Sequence, residues 1–347
     1  MALSASTSRG HRIVVIAIGI GVVVLAVLIG VLVGPADLSP SAVLRSVFSW
    51  VPGVGDDGLS SQDTTILWQL RAPRVALACI VGACLSISGA AYQGAFRNPL
   101  ADPYLLGAAA GAGLGATLVI IYGSATFTDG TPLLPVASFL GALGGVALAY
   151  LIGVSRGGRT TIALVLAGVA VASFLTAIQT FIQQRNVDTL REIYTWILGR
   201  LSTAGWDDVI LIAPYAAISI VLLVMHGRML DVLGVGEDES ASLGIHPARV
   251  RLIIVASASL ATAAAVAVAG LIGFVGIIVP HAIRLMVGTS NRWVVPLSAL
   301  GGAAFLVLAD VVARTVVSPG ELPIGVVTAL LGAPAFALLL RRSGRIA

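Results

Sequence analysis

Residues 93–116 read QGAFRNPLADPYLLGAAAGAGLGA, with apolar chain on both sides. The stretch holds Arg97, Asn98 and Asp102, then two prolines, Pro99 and Pro103, and a run of glycines. Pro99 removes a backbone donor and disfavours helix at Asn98. Pro103 suits the first turn of a following helix, with Asp102 near its positive end. The stretch therefore reads as a break between two helices. Irregular backbone at membrane depth is tolerated where it is buried in protein or lines a cavity.

Composition makes the membrane the right setting. The 347 residues are 58% hydrophobic and 10% charged, whereas a soluble domain carries about 25% charged residues. A bilayer-spanning helix takes roughly 20 apolar residues. Ten such runs can be read, at 13–33, 73–93, 103–122, 133–154, 160–182, 208–226, 250–270, 272–287, 294–317 and 324–340. A transmembrane barrel would alternate polar and apolar residues, and these runs do not. The expectation is an all-α polytopic membrane protein of about ten transmembrane helices, with residues 1–347 forming a single transmembrane domain. The run at 13–33 is longer than a signal-peptide core and reads as a retained first span.

The chain has no lysine, and its twenty permanently basic side chains are all arginine. If the N-terminus is cytoplasmic, thirteen of the twenty arginines fall on the cytoplasmic side. The positive-inside rule then gives both termini inside. Arg71, Arg74 and Arg314 oppose that rule. Two readings of them stay open: snorkelling to lipid phosphate, or a surface that meets a partner's carboxylates.

Glycines recur at four-residue spacing at Gly107, Gly111 and Gly115, at Gly141 and Gly145, and at Gly30 and Gly34. This spacing lines one helix face and allows close helix approach. Asp310 is the main acid deep in a span and precedes Arg314 by four residues, the order that favours a helical ion pair. A structural pair is the first reading and a proton relay the second. An ion-coupled transporter usually carries more such groups at the midplane, so an external energy source is expected.

Two longer segments lie between spans. Loop 183–206, with Trp196 and Trp206, reads as a short helix on the outer surface. Segment 228–247, RMLDVLGVGEDESASLGIHP, reads as short cytoplasmic helices able to dock a partner protein. The chain has no GxxxxGK[ST] phosphate loop, no zinc-ligand spacing and no catalytic triad, so no catalytic site and no metal is expected.

The motifs together resemble the FecCD-type permeases, the membrane subunits of ABC importers for ferric siderophores, haem and vitamin B12. The resemblance is carried by LRAPR (70–74), QGAFRNPLADPYLLG (93–107), VLAGVA (165–170), WILGRLS (196–202), ASLG (241–244), GFVGIIVPHAIRL (273–285), LAD (308–310) and ELPIGVVTALLGAP (321–334). It implies a type II ABC importer permease fold in a bacterial cytoplasmic membrane. It also implies a second permease subunit, with a homodimer as the simpler default, two cytoplasmic ATPase subunits and an external substrate-binding protein. The chain itself would bind no cofactor and no nucleic acid, ATP being used by the partners. An iron chelate, siderophore or haem, is favoured as cargo over cobalamin.

The resemblance assigns residues as well. Arg71, Arg74 and Arg314 would dock the binding protein. Leu230, Leu233, Glu237, Ala241, Ser242, Leu243 and Gly244 would couple to the ATPase. Asn98 and Leu100 would narrow the inner end of the path, with Thr160 and Thr161 near a second constriction. An ion-coupled secondary transporter is the rival reading. A weak inverted repeat is permitted, spans two to five against seven to ten, each with a glycine-rich helix running into a proline segment.

Overall fold

The computed structural model describes residues 9–49, 58–123, 133–154 and 161–343, and these contain helices and no strand. The helices are α1 (Arg9–Leu32), α2 (Pro40–Val47), α3 (Ser61–Thr65), α4 (Ala72–Ala95), α5 (Ala108–Tyr122), α6 (Leu133–Val154) and α7 (Thr161–Gln184). They continue with α8 (Leu190–Ile197), α9 (Trp206–Val235), α10 (Glu237–Ser242), α11 (Pro247–Ala269), α12 (Val275–Val287), α13 (Asn291–Thr315) and α14 (Ile324–Ser343). A wide helical turn, Ile66–Arg71, joins α3 to α4 in one 35-residue rod.

Among the described residues, seven helices are long and apolar enough to cross a bilayer. Three more apolar helices are shorter: Ala108–Tyr122, Val275–Val287 and Ile324–Ala337. At 1.5 Å per residue, α5 and α12 extend about 22 and 20 Å, short of the roughly 30 Å hydrocarbon core. Each follows an irregular segment, 96–107 before α5 and 270–274 before α12.

The centre of the bundle is α4, which packs against α13, α11, α9 and α12. Every residue from Val81 to Phe96 is buried. This density depends on missing side chains. A Cβ at Gly82 would lie 2.2 Å from the Gly302 carbonyl oxygen, and one at Gly302 would lie 2.2 Å from that of Gly82. The expected glycine faces are used in the same way. Gly111 on α5 and Gly141 on α6 touch backbone to backbone, an added Cβ falling 2.0 and 2.2 Å from the partner carbonyl.

The first break differs from expectation at its far end. Pro103 does not open the next helix, which begins at Ala108. Three local bonds hold the intervening turns: Tyr104 N donates to Asp102 Oδ1 at 2.8 Å, Leu105 N to the Asp102 carbonyl at 3.0 Å, and Gly107 N to the Tyr104 carbonyl at 3.0 Å. The Asp102 side chain thus satisfies a backbone donor that a helix would otherwise use. Gly107 then adopts φ +83° to turn into α5.

Two other expectations shift. The amphipathic run Met229–Leu233 is not a separate helix but the last part of α9, which continues past the expected end of span six to Val235. Loop 183–206 does hold a short helix, α8, whose Ile193 and Trp196 are buried against the bundle.

Gly82→Ala should destabilise the purified protein by about 1–3 kcal/mol, because backbone at the contact cannot yield cheaply. Gly144→Ala, where nothing lies within 4 Å of the new methyl group, should cost nothing and raise stability by up to about 1 kcal/mol through helix propensity. Thermal melts of the detergent-solubilised variants measure both, and equal melting temperatures would contradict the packing described.

Candidate functional site

The two broken helices meet. Gly89 on α4 faces Gly276 at the start of α12 so closely that a Cβ at Gly89 would lie 1.9 Å from the Gly276 carbonyl oxygen. Pro103 covers the other side of Gly276, its ring 2.5 Å from where a Cβ there would sit. The Tyr104 hydroxyl reaches across to Ile272, donating to its carbonyl at 3.1 Å and accepting from its N–H at 3.1 Å. One side chain from the first break therefore satisfies both backbone groups of a residue in the second. Gln93 Nε2 adds bonds to the carbonyls of Gly276 at 3.1 Å and Ala101 at 3.3 Å. Arg284 on α12 donates to Gln93 Oε1. Gly270 at φ +71° and Phe274 at φ +68° shape the second break.

Asn98 and Leu100 lie at the near end of the first break. Asn98 Oδ1 accepts from Leu100 N at 2.9 Å, which fixes the turn. The Leu100 side chain is exposed. Thr160 lies outside the described residues, and Thr161 is the first residue of α7.

At the opposite end of α4 the structure gathers an ion cluster. Arg74 Nε donates to Asp310 Oδ1 at 2.9 Å and Oδ2 at 3.1 Å, and its Nη2 lies 2.8 Å from Oδ1. Arg314 Nε lies 3.4 Å from Asp310 Oδ2, the expected i,i+4 pair, and its Nη2 donates to the Gly30 carbonyl. Arg71 donates to the carbonyls of Val31, Leu32 and Ala36. A Cβ at Gly34 would meet Arg71 Nε at 2.8 Å, so Gly34 makes room for that guanidinium group, whereas Gly30 lets α1 pack against Val75 and Val307. Arg71 and Arg314 are 4% and 1% exposed, which places their charged groups out of a partner's reach in this conformation. Arg74 alone extends to the rim, where its Nη1 meets Glu321 Oε1 at 2.9 Å.

The two acids differ in what they hold. Asp310 is 1% exposed and Glu321 31%. Removing one partner of a buried pair leaves an uncompensated charge and costs about 3–5 kcal/mol, whereas a rim pair contributes about 0–1 kcal/mol. Arg74 is thus anchored by Asp310 and only lightly held by Glu321. Sequence reasoning paired Asp310 with Arg314 but missed Arg74, 236 residues away. The available signal was that Arg74 opposes the charge rule while Asp310 stands nearly alone in its span.

The segment 228–247 divides by burial. Leu230 and Leu233 are 0% and 3% exposed and pack inside α9's interface with the bundle. Glu237 pairs with Arg251 on α11, and Ser240 Oγ donates to the Val232 carbonyl at 2.8 Å. Ala241, Ser242, Leu243 and Gly244 are exposed. Nearby, Asp231 on α9 accepts from Ser290 Oγ at 2.7 Å and from the backbone N–H groups of Asn291 and Arg292, capping α13 from another helix.

Long apolar helices enclosing two broken ones that interlock define a multi-pass membrane protein of the transporter class. The chain belongs to the FecCD transport family, whose model matches residues 22–342. It is 42% identical over 341 residues to YvrB of Bacillus subtilis, described as an uncharacterized ABC transporter permease protein, covering 97% of this chain and 96% of that one. It is 42% identical over 284 residues to the cobalamin import system permease protein BtuC of Halobacterium salinarum, covering 82% and 75%. A solved inward-facing structure of a metal-chelate type ABC transporter superposes with a TM-score of 0.81 at 30% identity, covering 95% and 99%.

Asp310→Asn should lower stability by about 3–5 kcal/mol, since it leaves the buried Arg314 without its carboxylate and Arg74 with only its rim partner Glu321. Glu321→Gln should cost less than about 1 kcal/mol. Thermal melts in one detergent compare the two directly. Equal losses would contradict the division into a buried anchor and a rim contact.

Proposed function

We propose that this chain is the membrane-spanning permease subunit of a type II ABC importer in a bacterial cytoplasmic membrane. Ten spans, the seven long helices and the three short ones, would cross the bilayer with both termini inside. Two copies would enclose the path, a homodimer being the simplest assembly. Two cytoplasmic ATPase subunits would supply the energy from ATP, and an external binding protein would deliver the cargo. The chain itself would carry no cofactor and perform no covalent chemistry.

The observation that carries this reading is the meeting of the two helix breaks. Discontinuous helices that pair near the middle of a bundle are how transporters build a path that can change access. Glycine contacts let the backbones meet without bulk, and Tyr104 and Gln93 satisfy the exposed backbone groups. Asn98 and Leu100 sit at one mouth of this crossing and are proposed to narrow it.

The cargo proposed is an iron chelate, a siderophore or haem. The relative named for metal chelates covers nearly the whole chain. Cobalamin is the alternative, supported by the relative named for cobalamin import. An ion-coupled transporter is disfavoured on physical grounds. Such a transporter usually carries several ionisable groups at the midplane, and Asp310 is already taken up in ion pairs with Arg74 and Arg314.

Docking of the ATPase is proposed to use the exposed edge of α10, with Leu243 as its apolar anchor and Ala241, Ser242 and Gly244 beside it. Glu237 would brace that edge through Arg251. Leu230 and Leu233 would support it from within.

Reconstitution with the ATPase and binding protein in liposomes tests the reading. ATP-dependent uptake of a ferric siderophore, haem or cobalamin is expected, and uptake driven by an ion gradient without ATP would contradict it. In the same system Leu243→Glu should weaken ATPase co-purification by about tenfold or more, as loss of an interface anchor does. Its melting temperature should not change. Undiminished assembly would remove Leu243 from the interface.

A further inference from the structure

Three helix ends border one cavity. α6 closes at Val154, α7 opens at Thr161 and α11 opens at Pro247. α11 packs against α6, and α6 against α7. The cavity between them measures about 480 Å³, within the roughly 300–1,000 Å³ of small-molecule sites. Helices that cross a bilayer end near its surface, so the cavity stands at the depth of lipid headgroups.

Its walls are of two kinds. Tyr150 and Val154 of α6, Leu164 of α7 and Leu252 of α11 supply an apolar side, and Arg249 and Arg251 supply a basic one. No carboxylate is among the described residues that line it. Arg249 is exposed and makes no ion pair among the described residues. Arg251 is 5% exposed and is tied to Glu237 on α10, which fixes it at the back of the cavity. The first turn of α11 has no side-chain cap, so the positive end of the helix adds to the two arginines. A soluble anion would leave the apolar side uncovered, and an apolar chain would leave the basic side unmatched. An amphiphile with an anionic head satisfies both.

We propose that this cavity binds the phosphodiester head of an anionic membrane phospholipid. Arg249 is its principal cation, Arg251 stands behind, and the acyl chains leave along Val154 and Leu252, the latter 45% exposed. Basic pockets between spanning helices suit such heads. The inference goes beyond the importer reading and needs only that these helices cross a bilayer. The topology proposed above puts the site in the cytoplasmic leaflet. Residues 241–244 lead into α11, so the lipid sits beside the surface proposed to dock the ATPase and braces α6, α7 and α11 at that end.

The test is native mass spectrometry of the full chain in detergent, titrated with phosphatidylglycerol or with phosphatidylcholine of the same acyl chains. It requires neither ATPase nor binding protein, so its result is independent of whether the importer reading stands. One phosphatidylglycerol should be retained at least about fivefold more tightly than phosphatidylcholine, as one matched charge at a membrane surface gives. Glycerol phosphate, which has the head without the chains, should not displace it at equal concentration. Arg249→Ala should lower phosphatidylglycerol affinity by about fivefold, and Arg249→Lys, which keeps the charge, should retain most of it. The lipid-free melting temperature of Arg249→Ala should match that of the parent, since the side chain is exposed and makes no ion pair. Equal retention of the two lipids, or unchanged affinity in Arg249→Ala, would overturn the proposal. Displacement by glycerol phosphate would make the cavity a soluble phosphate site and overturn the lipid assignment.

Discussion

Backbone N–H and C=O groups cannot be left unpaired away from water, and the rest of this structure follows from how two interruptions meet that constraint. The first break, from its far half at 101–107, and the second, at 270–274, both leave the helical hydrogen-bond ladder inside the bundle. Neither could stand alone there. Set against each other, they share Tyr104, whose hydroxyl serves both backbone groups of Ile272, and Gln93, whose amide serves Ala101 and Gly276. The contact is possible only because Gly89 and Gly276 present bare backbone. One added methyl group at either position would push the segments apart and strand those groups.

Electrostatics fixes the other end of the same helix. Three guanidinium groups enter the bundle there, and each is accounted for differently. Arg71 is solvated by carbonyls at the end of α1 and just beyond it, while Arg314 shares Asp310 and takes the Gly30 carbonyl. Arg74 is split between a buried acid and a rim acid. Of the glycine pair in and after α1, which reads as generic packing, Gly34 proves to be what gives Arg71 its space, while the Gly30 carbonyl accepts from Arg314. Packing and charge are therefore one arrangement at this end, and α4 links it mechanically to the crossing.

Much of this was legible in the residues. The break at 96–107 follows from Pro99, Asp102 and Pro103, and the glycine faces from their four-residue spacing. What could not be read is what each face meets. Nothing local says that Gly82 opposes Gly302 or that Gly111 opposes Gly141. Arg74 and Asp310 are 236 residues apart, beyond any periodicity. Pro103 misled because proline is equally at home in a helix's first turn and in the turns that precede it. Here the Asp102 side chain, by capping Tyr104 N, decides for turns. Leu230 and Leu233 are expected in short cytoplasmic helices of 228–247 that couple to the ATPase. In fact α9 continues through them and turns both leucines inward.

The importer reading depends most on the crossing being a working part of the path and not merely a packing defect. Tyr104→Phe isolates it, removing one hydroxyl and leaving the ring. The decisive measurement is hydrogen exchange at the Ile272 amide, read beside ATP-dependent uptake in liposomes. The account predicts faster exchange at Ile272, since an unsatisfied buried group costs about 1–3 kcal/mol, together with reduced uptake by a protein that still assembles. Unchanged exchange and unchanged uptake would contradict it.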